Sequence, residues 1–517
     1  MKISQGSTQI AQQSSSVTNK GNDMAISFYD EACRSFYDEA CKLALAGKSD
    51  EAFAMLGLAL STGYLYGNTE IDPDIIASHG DARCQAILEP ILCKAKAFQE
   101  FWNGTAMQIP FKQNLSDDEK IAGLSKLWAE AKFNFIYFDK VPSLDWDKVY
   151  MEYLPKVRAA PSTLEYYRLL QQMYALLHDG HTSVQMPKAL QDEYYAAPLL
   201  RTAHIEGKVM IIEVAPALAA TGLKPGLEVV TIKDVPAIEY AHRNLPYLSA
   251  STPQFRDAII YGRWLFSGLK NAPIKLSLRD ADDATMDLSL PCASPADYQI
   301  AFQHAPMGFT MLPGNIAYVT LSSFADSKAA DGFMSVFSEI AKADAMVIDV
   351  RNNSGGNGAV GHAILGCLTD KIFLGNKSET RNYKPVFRAC GYPETRYAQP
   401  ADELQPNPEL LFSKPVILLV GPRTSSAAED FVAAFRLMGR GKIVGEATAG
   451  STGQPLIFPL PGGGGGYVCT KHDSFPDGTE FVGIGIQPDI IVSQTIADLR
   501  AGKDTVLETT LERLRQS

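Results

Sequence analysis

The distribution of hydrophobic positions divides the chain into a helical first part, a β-rich middle and an alternating last part. From residue 24 onwards, small and apolar residues recur at helical spacing on both sides of a breaker at 46–49, which predicts a helical hairpin of tetratricopeptide-like type. Residues 116–177 show the same spacing, and Ser162 with Glu165 predicts a capping box at the start of the last helix. The polar, Ser- and Gln-rich residues 1–23 are expected to form a disordered tail.

Strand patterns follow the helical part. Short β-branched runs such as VMIIEV and IKLSL alternate with turn signals between residues 195 and 291, which indicates a small β-rich module. From residue 314, apolar strands alternate with helices, as is typical of an α/β core with a largely parallel sheet. Ligands of such sheets bind at the carboxyl ends of the strands. Two loops occupy that position, RNNSGGNG after Val350 and GPRTSSAAED after Val420.

Both loops carry residues suited to acyl-transfer chemistry. The run TSSAAE opens a helix, and a serine hydroxyl there lies beside unpaired N–H groups that stabilise an oxyanion. A helix N-cap is the simpler interpretation of the same serines. The glycines of the first loop allow N–H groups to face a bound oxygen, so Gly355 is a candidate second donor beside the amide of Ala427. A plain Gly-rich turn or an anion-binding loop fits that sequence as well.

A serine nucleophile requires a general base. The chain has eight histidines, and His181 lies in the most constrained local sequence, Asp179-Gly180-His181-Thr182. Composition alone does not choose among the eight.

Composition and charge narrow the function classes. The 47 basic residues against 58 acidic ones give a net charge of −11, which disfavours nucleic acid as a partner. The longest apolar stretch, Ala52–Leu60, is roughly half of the ~20 residues that a membrane-spanning helix needs. The eight cysteines show no metal-binding spacing, so we expect mostly free, buried thiols and no metal site.

Five ordered segments resemble a known family. LLHDGHTSV, VIDVRNNSGG, LVGPRTSSAAEDF, VGEATAG and GIGIQPDIIV look like successive signatures of the C-terminal processing (tail-specific) serine proteases and their tricorn-core relatives. The resemblance implies an α/β catalytic core of ClpP/crotonase type with an N-terminal α-helical region and a small β-rich PDZ-like domain. The expected divisions are the tail at 1–23, the helical region at 24–110, the part carrying the base at 111–194, the PDZ-like domain at 195–300 and the catalytic domain at 301–517.

The resemblance also implies roles for individual residues. Ser426 matches the nucleophile, His181 the base of the tricorn-like branch, and Ala427 and Gly355 the oxyanion donors. The other branch uses a lysine 25 residues after the serine, where this chain has Ser451, so lysine-dyad catalysis is not expected. The orienting acid is expected to be Glu446 of VGEATAG, with Glu480 as the alternative.

The implied function is that of a serine endopeptidase that cuts extended polypeptides, including sites near C-termini, through a Ser/His acyl-enzyme mechanism without cofactor or metal. Polypeptide substrates and a homo-oligomer are the implied partners. The alternative is a non-catalytic scaffold that binds peptides or apolar ligands on the same fold. The visible N-terminus lacks a secretory signal pattern, which favours the cytoplasm, whereas the resemblance favours the bacterial periplasm or secretion.

Overall fold

The computed structural model describes residues 39–44, 46–61 and 104–516, together with single positions at 36 and between 86 and 102. The expected tail at 1–23 lies outside the described residues. The chain forms two units, Met1–Met107 and Gln108–Ser517. In the first unit, residues 39–44 and helix Ser49–Ser61 are separated by a turn at Gly47, whose φ of 72° suits glycine.

The helices are numbered along the chain. They are α1 Ser49–Ser61, α2 Asp117–Asn134, α3 Trp146–Arg158, α4 Thr163–Ala175, α5 Lys188–Tyr194, α6 Ala237–His242, α7 Pro253–Ile260, α8 Pro295–Ala301, α9 Lys328–Ser335, α10 Phe337–Ile340, α11 Gly358–Gly366, α12 Pro385–Ala389, α13 Ala427–Met438, α14 Ile496–Arg500 and α15 Thr505–Gln516. Short 3-10 helices lie at Thr105–Met107, Phe138–Lys140, Pro216–Thr221, Leu245–Tyr247 and Arg263–Phe266.

The strands are numbered in the same way. They are β1 Ser183–Gln185, β2 Leu200–Ile205, β3 Lys208–Val214, β4 Glu228–Ile232, β5 Val235–Pro236, β6 Ile274–Arg279, β7 Thr285–Leu290, β8 Met307–Leu312, β9 Ile316–Leu321, β10 Ala345–Asp349, β11 Phe373–Leu374, β12 Lys377–Asn382, β13 Thr395–Gln399, β14 Glu403–Leu404, β15 Val416–Val420, β16 Gly441–Gly445, β17 Pro455–Leu460, β18 Gly464–Cys469, β19 Lys471–Ser474 and β20 Ile490–Ile491.

A six-stranded sheet forms the centre of the second unit. Its order is β20-β16-β15-β10-β9-β8, and all neighbours are parallel except β8 and β9. Strands β10 and β15 are buried along their whole length, because helices cover both faces of the sheet. Helices α9, α11 and α13 share the apolar core on one face of the sheet and α15 packs on the other, whereas α2 and α4 contact the strands β17, β18 and β1. The largely parallel sheet predicted from the alternating pattern is therefore confirmed.

Serine side chains cap two helices in the helical part before the β-rich module. At α2, Ser116 and Glu119 form a complete capping box. At α4, the Ser162 hydroxyl accepts from the Glu165 amide, whereas the Glu165 carboxylate accepts from Arg168 at 2.7 Å. The box predicted at Ser162 is thus only half formed, because a neighbouring cation takes the carboxylate.

The β-rich module has its own antiparallel sheet, in the order β2-β3-β4-β6-β7, and its own apolar core. Among the described residues, three smaller antiparallel sheets have the orders β1-β18-β17, β13-β12-β19 and β11-β14. Cys367 and Cys469 are buried thiols in the main core, whereas Cys93 and Cys390 are exposed, so the expectation of mostly buried thiols holds for only part of the described cysteines. The structure is mixed α/β.

Candidate active site

Ser426 occupies a strained turn between β15 and α13. Its φ of 57° and ψ of −134° are unusual for a residue with a Cβ and cost about 1–3 kcal/mol. The Ser426 amide donates to the carbonyl of Ser451 at 2.7 Å, which holds this conformation. A sharp strand-to-helix turn of this kind exposes a serine hydroxyl at the top of an α/β sheet.

His181 lies far from Ser426 in the sequence but contacts it in the folded chain. It follows α4 and lies two residues before β1, and β1 pairs antiparallel with β18. Its Nε2 lies 3.0 Å from the Oγ of Ser426, and its Nδ1 lies 3.0 Å from the Oγ of Ser451. The structure therefore joins the two residues that the sequence proposed as nucleophile and base, although 245 positions separate them.

The loop that carries His181 is fixed by the buried carboxylate of Asp179. Asp179 accepts from the hydroxyl of Thr182 at 2.6 Å and from the hydroxyl of Ser251 at 3.3 Å. Burial raises the pKa of Asp179, and the neighbouring His181 opposes that rise. Burial also lowers the pKa of His181 below its usual value, against the attraction of the Asp179 charge. A neutral imidazole, which can accept a proton, is thus favoured near neutral pH.

The Gly-rich loop packs directly on the serine turn. Gly355 has a φ of 94°, and a Cβ there would lie 2.6 Å from the Cβ of Ser426 and 2.8 Å from the amide nitrogen of Ala427. Only glycine permits this approach. The Ala427 N–H begins α13 and has no intrahelical acceptor. The Gly355 N–H donates to the side-chain oxygen of Asn353 at 2.8 Å. To contact an oxyanion, this N–H must break that hydrogen bond or form a bifurcated one.

The buried carboxylate of Glu429 holds the loop 448–451, which contacts His181. Glu429, in the first turn of α13, accepts from the Thr448 hydroxyl at 2.5 Å and from the amides of Gly450 and Ser451, each at 2.7 Å. Burial raises the pKa of Glu429 to about 8, although the three donors favour its charged form. Glu429 therefore ties the loop 448–451 to the helix that starts at the nucleophile.

The β-rich module reaches both loops of the site. Ser251 accepts from the Gly180 amide at 3.0 Å, and Thr252 donates to the carbonyl of Ala449 at 2.7 Å. Gln254 donates to the carbonyl of Thr448 at 3.0 Å. The position of the His181 loop and that of the loop 448–451 thus both depend on residues 251–254.

Neither predicted acid contacts the imidazole. The carboxylate of Glu446 accepts from the hydroxyl of Ser493 at 3.0 Å and lies at the surface, beyond the end of β16. Glu480 pairs with Nε2 of His472 at 2.8 Å and faces Lys140 at 3.6 Å. The expectation of Glu446 as the orienting group, with Glu480 as its alternative, is therefore corrected: the group on Nδ1 of His181 is a hydroxyl, that of Ser451.

Sequence reasoning missed three supporting residues. Asp179 lies in the same constrained segment as His181, and Glu429 lies three residues after Ser426, so local sequence contained a signal for both. Ser451 was noted only because it replaces a lysine. Its contact with the imidazole has no local signal, since the loop 448–451 and the His181 loop meet only in the folded chain.

Among the residues that the structure describes, no group of three or more His, Cys, Asp or Glu side chains is placed to hold a metal ion. No helix in that same part of the chain is long and apolar enough to cross a membrane.

An alcohol on a strained turn, an imidazole at hydrogen-bond distance and a helix-terminal amide beside the alcohol form the arrangement of a serine hydrolase. Comparison with known proteins shows two matches to family models. Residues 315–492 match the model of peptidase family S41, and residues 123–175 match that of the tricorn protease C1 domain. The chain carries a peptidase family S41 domain and a tricorn protease C1 domain, so the resemblance inferred from the sequence is confirmed.

Individual relatives agree with these matches. The chain is 26% identical over 177 residues to the chloroplastic C-terminal processing peptidase of Tetradesmus obliquus, a match that covers 34% of each chain. It is 27% identical over 196 residues to the carboxyl-terminal-processing protease of Picosynechococcus sp., which covers 37% of this chain and 43% of the relative. The chain thus spans less than half the length of these curated relatives. The crystal structure of mature CPAF superposes with a TM-score of 0.59 at 14% identity, covering 74% of this chain and 94% of that one, which shows the shared fold.

Proposed function

We propose that this protein is a serine peptidase that cleaves extended polypeptide chains, including sites near their C-termini, through an acyl-enzyme. The observation that carries the proposal is the 3.0 Å contact between Nε2 of His181 and Oγ of Ser426 on its strained turn. A hydroxyl and a neutral imidazole in this relation are the minimum that nucleophilic serine catalysis requires.

The reaction follows from the geometry. Ser426 Oγ attacks the scissile carbonyl carbon while Nε2 of His181 takes the hydroxyl proton. The negative charge that develops on the carbonyl oxygen is stabilised by the N–H of Ala427, with Gly355 as the second donor once it leaves Asn353. The tetrahedral intermediate then releases the amine, which takes the proton from the imidazolium. Water, deprotonated by the same Nε2, then attacks the ester carbonyl. The second tetrahedral intermediate breaks its bond to Oγ and releases the carboxylic acid product, and Ser426 Oγ takes the proton back from the imidazolium.

A cavity beside the base has the character of a polypeptide cleft. It measures about 390 Å³ and lies between β1 and the β-rich module, with Gly180, Val184 and Trp264 in its lining. None of the described side chains that line it is charged. Gly180 and Ser183, which lie on either side of His181 in the chain, both line this cavity, so a polypeptide bound there would lie beside the base.

We assign the β-rich module to the PDZ-like class and the α/β core to the ClpP/crotonase type. The six-stranded antiparallel sheet of β2 to β7, with the short helix α6 packed on β4, supports the first assignment. The buried parallel strands with helices on both faces support the second. Modules of the PDZ-like class add an extended peptide as a further strand, which suits polypeptide substrates.

The decisive experiment compares two neighbouring serines. Ser426→Ala should abolish labelling by a fluorophosphonate probe and cleavage of an unstructured polypeptide such as casein, while the free energy of unfolding stays within about 1 kcal/mol. Ser425→Ala is the matched control and should retain labelling. Equal activity in Ser426→Ala, or no labelling of the wild type together with saturable peptide binding, would contradict the proposal and favour a non-catalytic scaffold.

A further inference from the structure

We propose that Ser451 is the positioning residue of His181, so that a neutral hydroxyl stands where most serine hydrolases have a carboxylate. This inference rests on the proposed peptidase function, because it takes His181 to be the general base.

The hydrogen-bond geometry of the ring carries the inference. Both ring nitrogens are engaged, Nε2 with Ser426 and Nδ1 with Ser451, each at 3.0 Å. To accept the proton of Ser426, Nε2 must be unprotonated, and the hydrogen of the neutral ring must then lie on Nδ1. That N–H donates to the Oγ of Ser451, which fixes the plane of the ring and leaves Nε2 aimed at the nucleophile.

The hydroxyl of Ser451 is itself held rigidly. The residue is 1% exposed, and its amide donates to the buried carboxylate of Glu429 at 2.7 Å. A Cβ at Gly180 would lie 2.5 Å from the Oγ of Ser451, so the hydroxyl fills its space closely. The carbonyl of Ser451 also accepts the amide of Ser426. One residue therefore fixes the backbone of the nucleophile and the ring of the base.

A hydroxyl supplies no charge to balance the imidazolium that forms when His181 takes the proton. The charged groups that act on the ring are Asp179, Asp473 and Lys471. Asp179 exerts the largest attraction and lies two residues away on the same loop. Orientation and charge stabilisation are thus divided between Ser451 and Asp179, whereas a single aspartate performs both tasks in a conventional triad.

The test uses three variants of one loop. Ser451→Ala removes the acceptor of the Nδ1–H and should lower kcat about 10- to 100-fold with little change in KM, the cost of leaving a buried donor unpaired. Ser451→Thr keeps a hydroxyl and should recover most of the loss. Thr452→Val is the matched control, because the Thr452 hydroxyl is buried on the same loop without a hydrogen-bond partner among the described residues. Its kcat should stay within about twofold of the wild type.

A second measurement does not depend on activity. The pKa of His181, followed by NMR of its ring nitrogens in the Ser426→Ala background, should fall in Ser451→Ala and stay unchanged in Thr452→Val, because the imidazolium loses an acceptor only in the former. The inference would be overturned by an unshifted pKa, or by equal losses in Ser451→Ala, Ser451→Thr and Thr452→Val. A wild type without any peptidase activity would instead refute the proposed function, whatever the titration shows.

Discussion

The variant Gly355→Ala adds one methyl group and should impair catalytic activity more severely than it destabilises the fold. The Cβ of Gly355→Ala would lie 2.6 Å from the Cβ of Ser426 and 2.8 Å from both the nitrogen of Ala427 and the carbonyl oxygen of Ser425. Two of these atoms belong to the backbone, so no side chain can rotate away.

The distances set the magnitude. An ordinary contact begins near 3.4 Å, so the Gly-rich loop and the serine turn must separate by about 0.8 Å. A displacement of about 1 Å at a reacting centre costs about 100-fold in rate. The left-handed conformation of Gly355, at a φ of 94°, adds strain, and strain and overpacking together should lower the free energy of unfolding by about 2 to 5 kcal/mol.

The variant Gly439→Ala is a control that introduces backbone strain without a steric clash. Gly439 ends α13 with a φ of 59°, and a Cβ there would meet nothing within 4 Å. This variant should lose about 1 kcal/mol in urea unfolding and keep its kcat/KM on a peptide substrate. If Gly355→Ala loses less than about threefold in kcat/KM, the Gly-rich loop does not form part of the site and the reasoning fails.

Three further outcomes test the electrostatics of the site. Because burial lowers the pKa of His181, kcat/KM should rise with pH through a midpoint below 6.5, and Asp179→Asn should move that midpoint lower still; an upward shift would contradict this. The pKa of Glu429 is about 8 in the folded chain, above its unfolded value, so the folded state binds more protons than the unfolded state between these two values. The free energy of unfolding measured with urea should therefore decline from pH 5 to pH 8 in the wild type, and should decline less in Glu429→Gln. Glu446→Gln should leave kcat/KM within about twofold, because Glu446 bonds to Ser493 and not to the imidazole; a tenfold loss would reinstate it as the orienting acid.

The elements of the core could be predicted because their patterns are local. Strands β9, β10 and β15 are apolar runs of five or six residues, and each lies where the sequence pattern places it. The capping box predicted at Ser162 forms only in part, because a second partner for Glu165 lies nearby in the sequence. Glu165 has Arg168 one turn away, and the sequence alone does not decide between that cation and the N-cap amide.

The nucleophile, the base and the Gly-rich loop were proposed from short segments that resemble a family, and the structure brings Ser426, His181 and Gly355 together. The sequence does not indicate the orienting group, because the carboxylates near the signature segments do not contact the imidazole. The hydroxyl that does so belongs to Ser451, which lies just outside these segments. Its partner His181 lies 270 positions earlier in the chain.

The sequence by itself determined the kinds of elements, their order along the chain and the residue types available for catalysis, because periodicity, turn residues and short motifs act over a few positions. The tertiary structure alone decided which group faces Nδ1 of His181, and that Glu446 points elsewhere. Such contacts depend on the packing of loops from distant parts of the chain, and that packing is set by the burial of Asp179 and Glu429 among donors supplied by several loops.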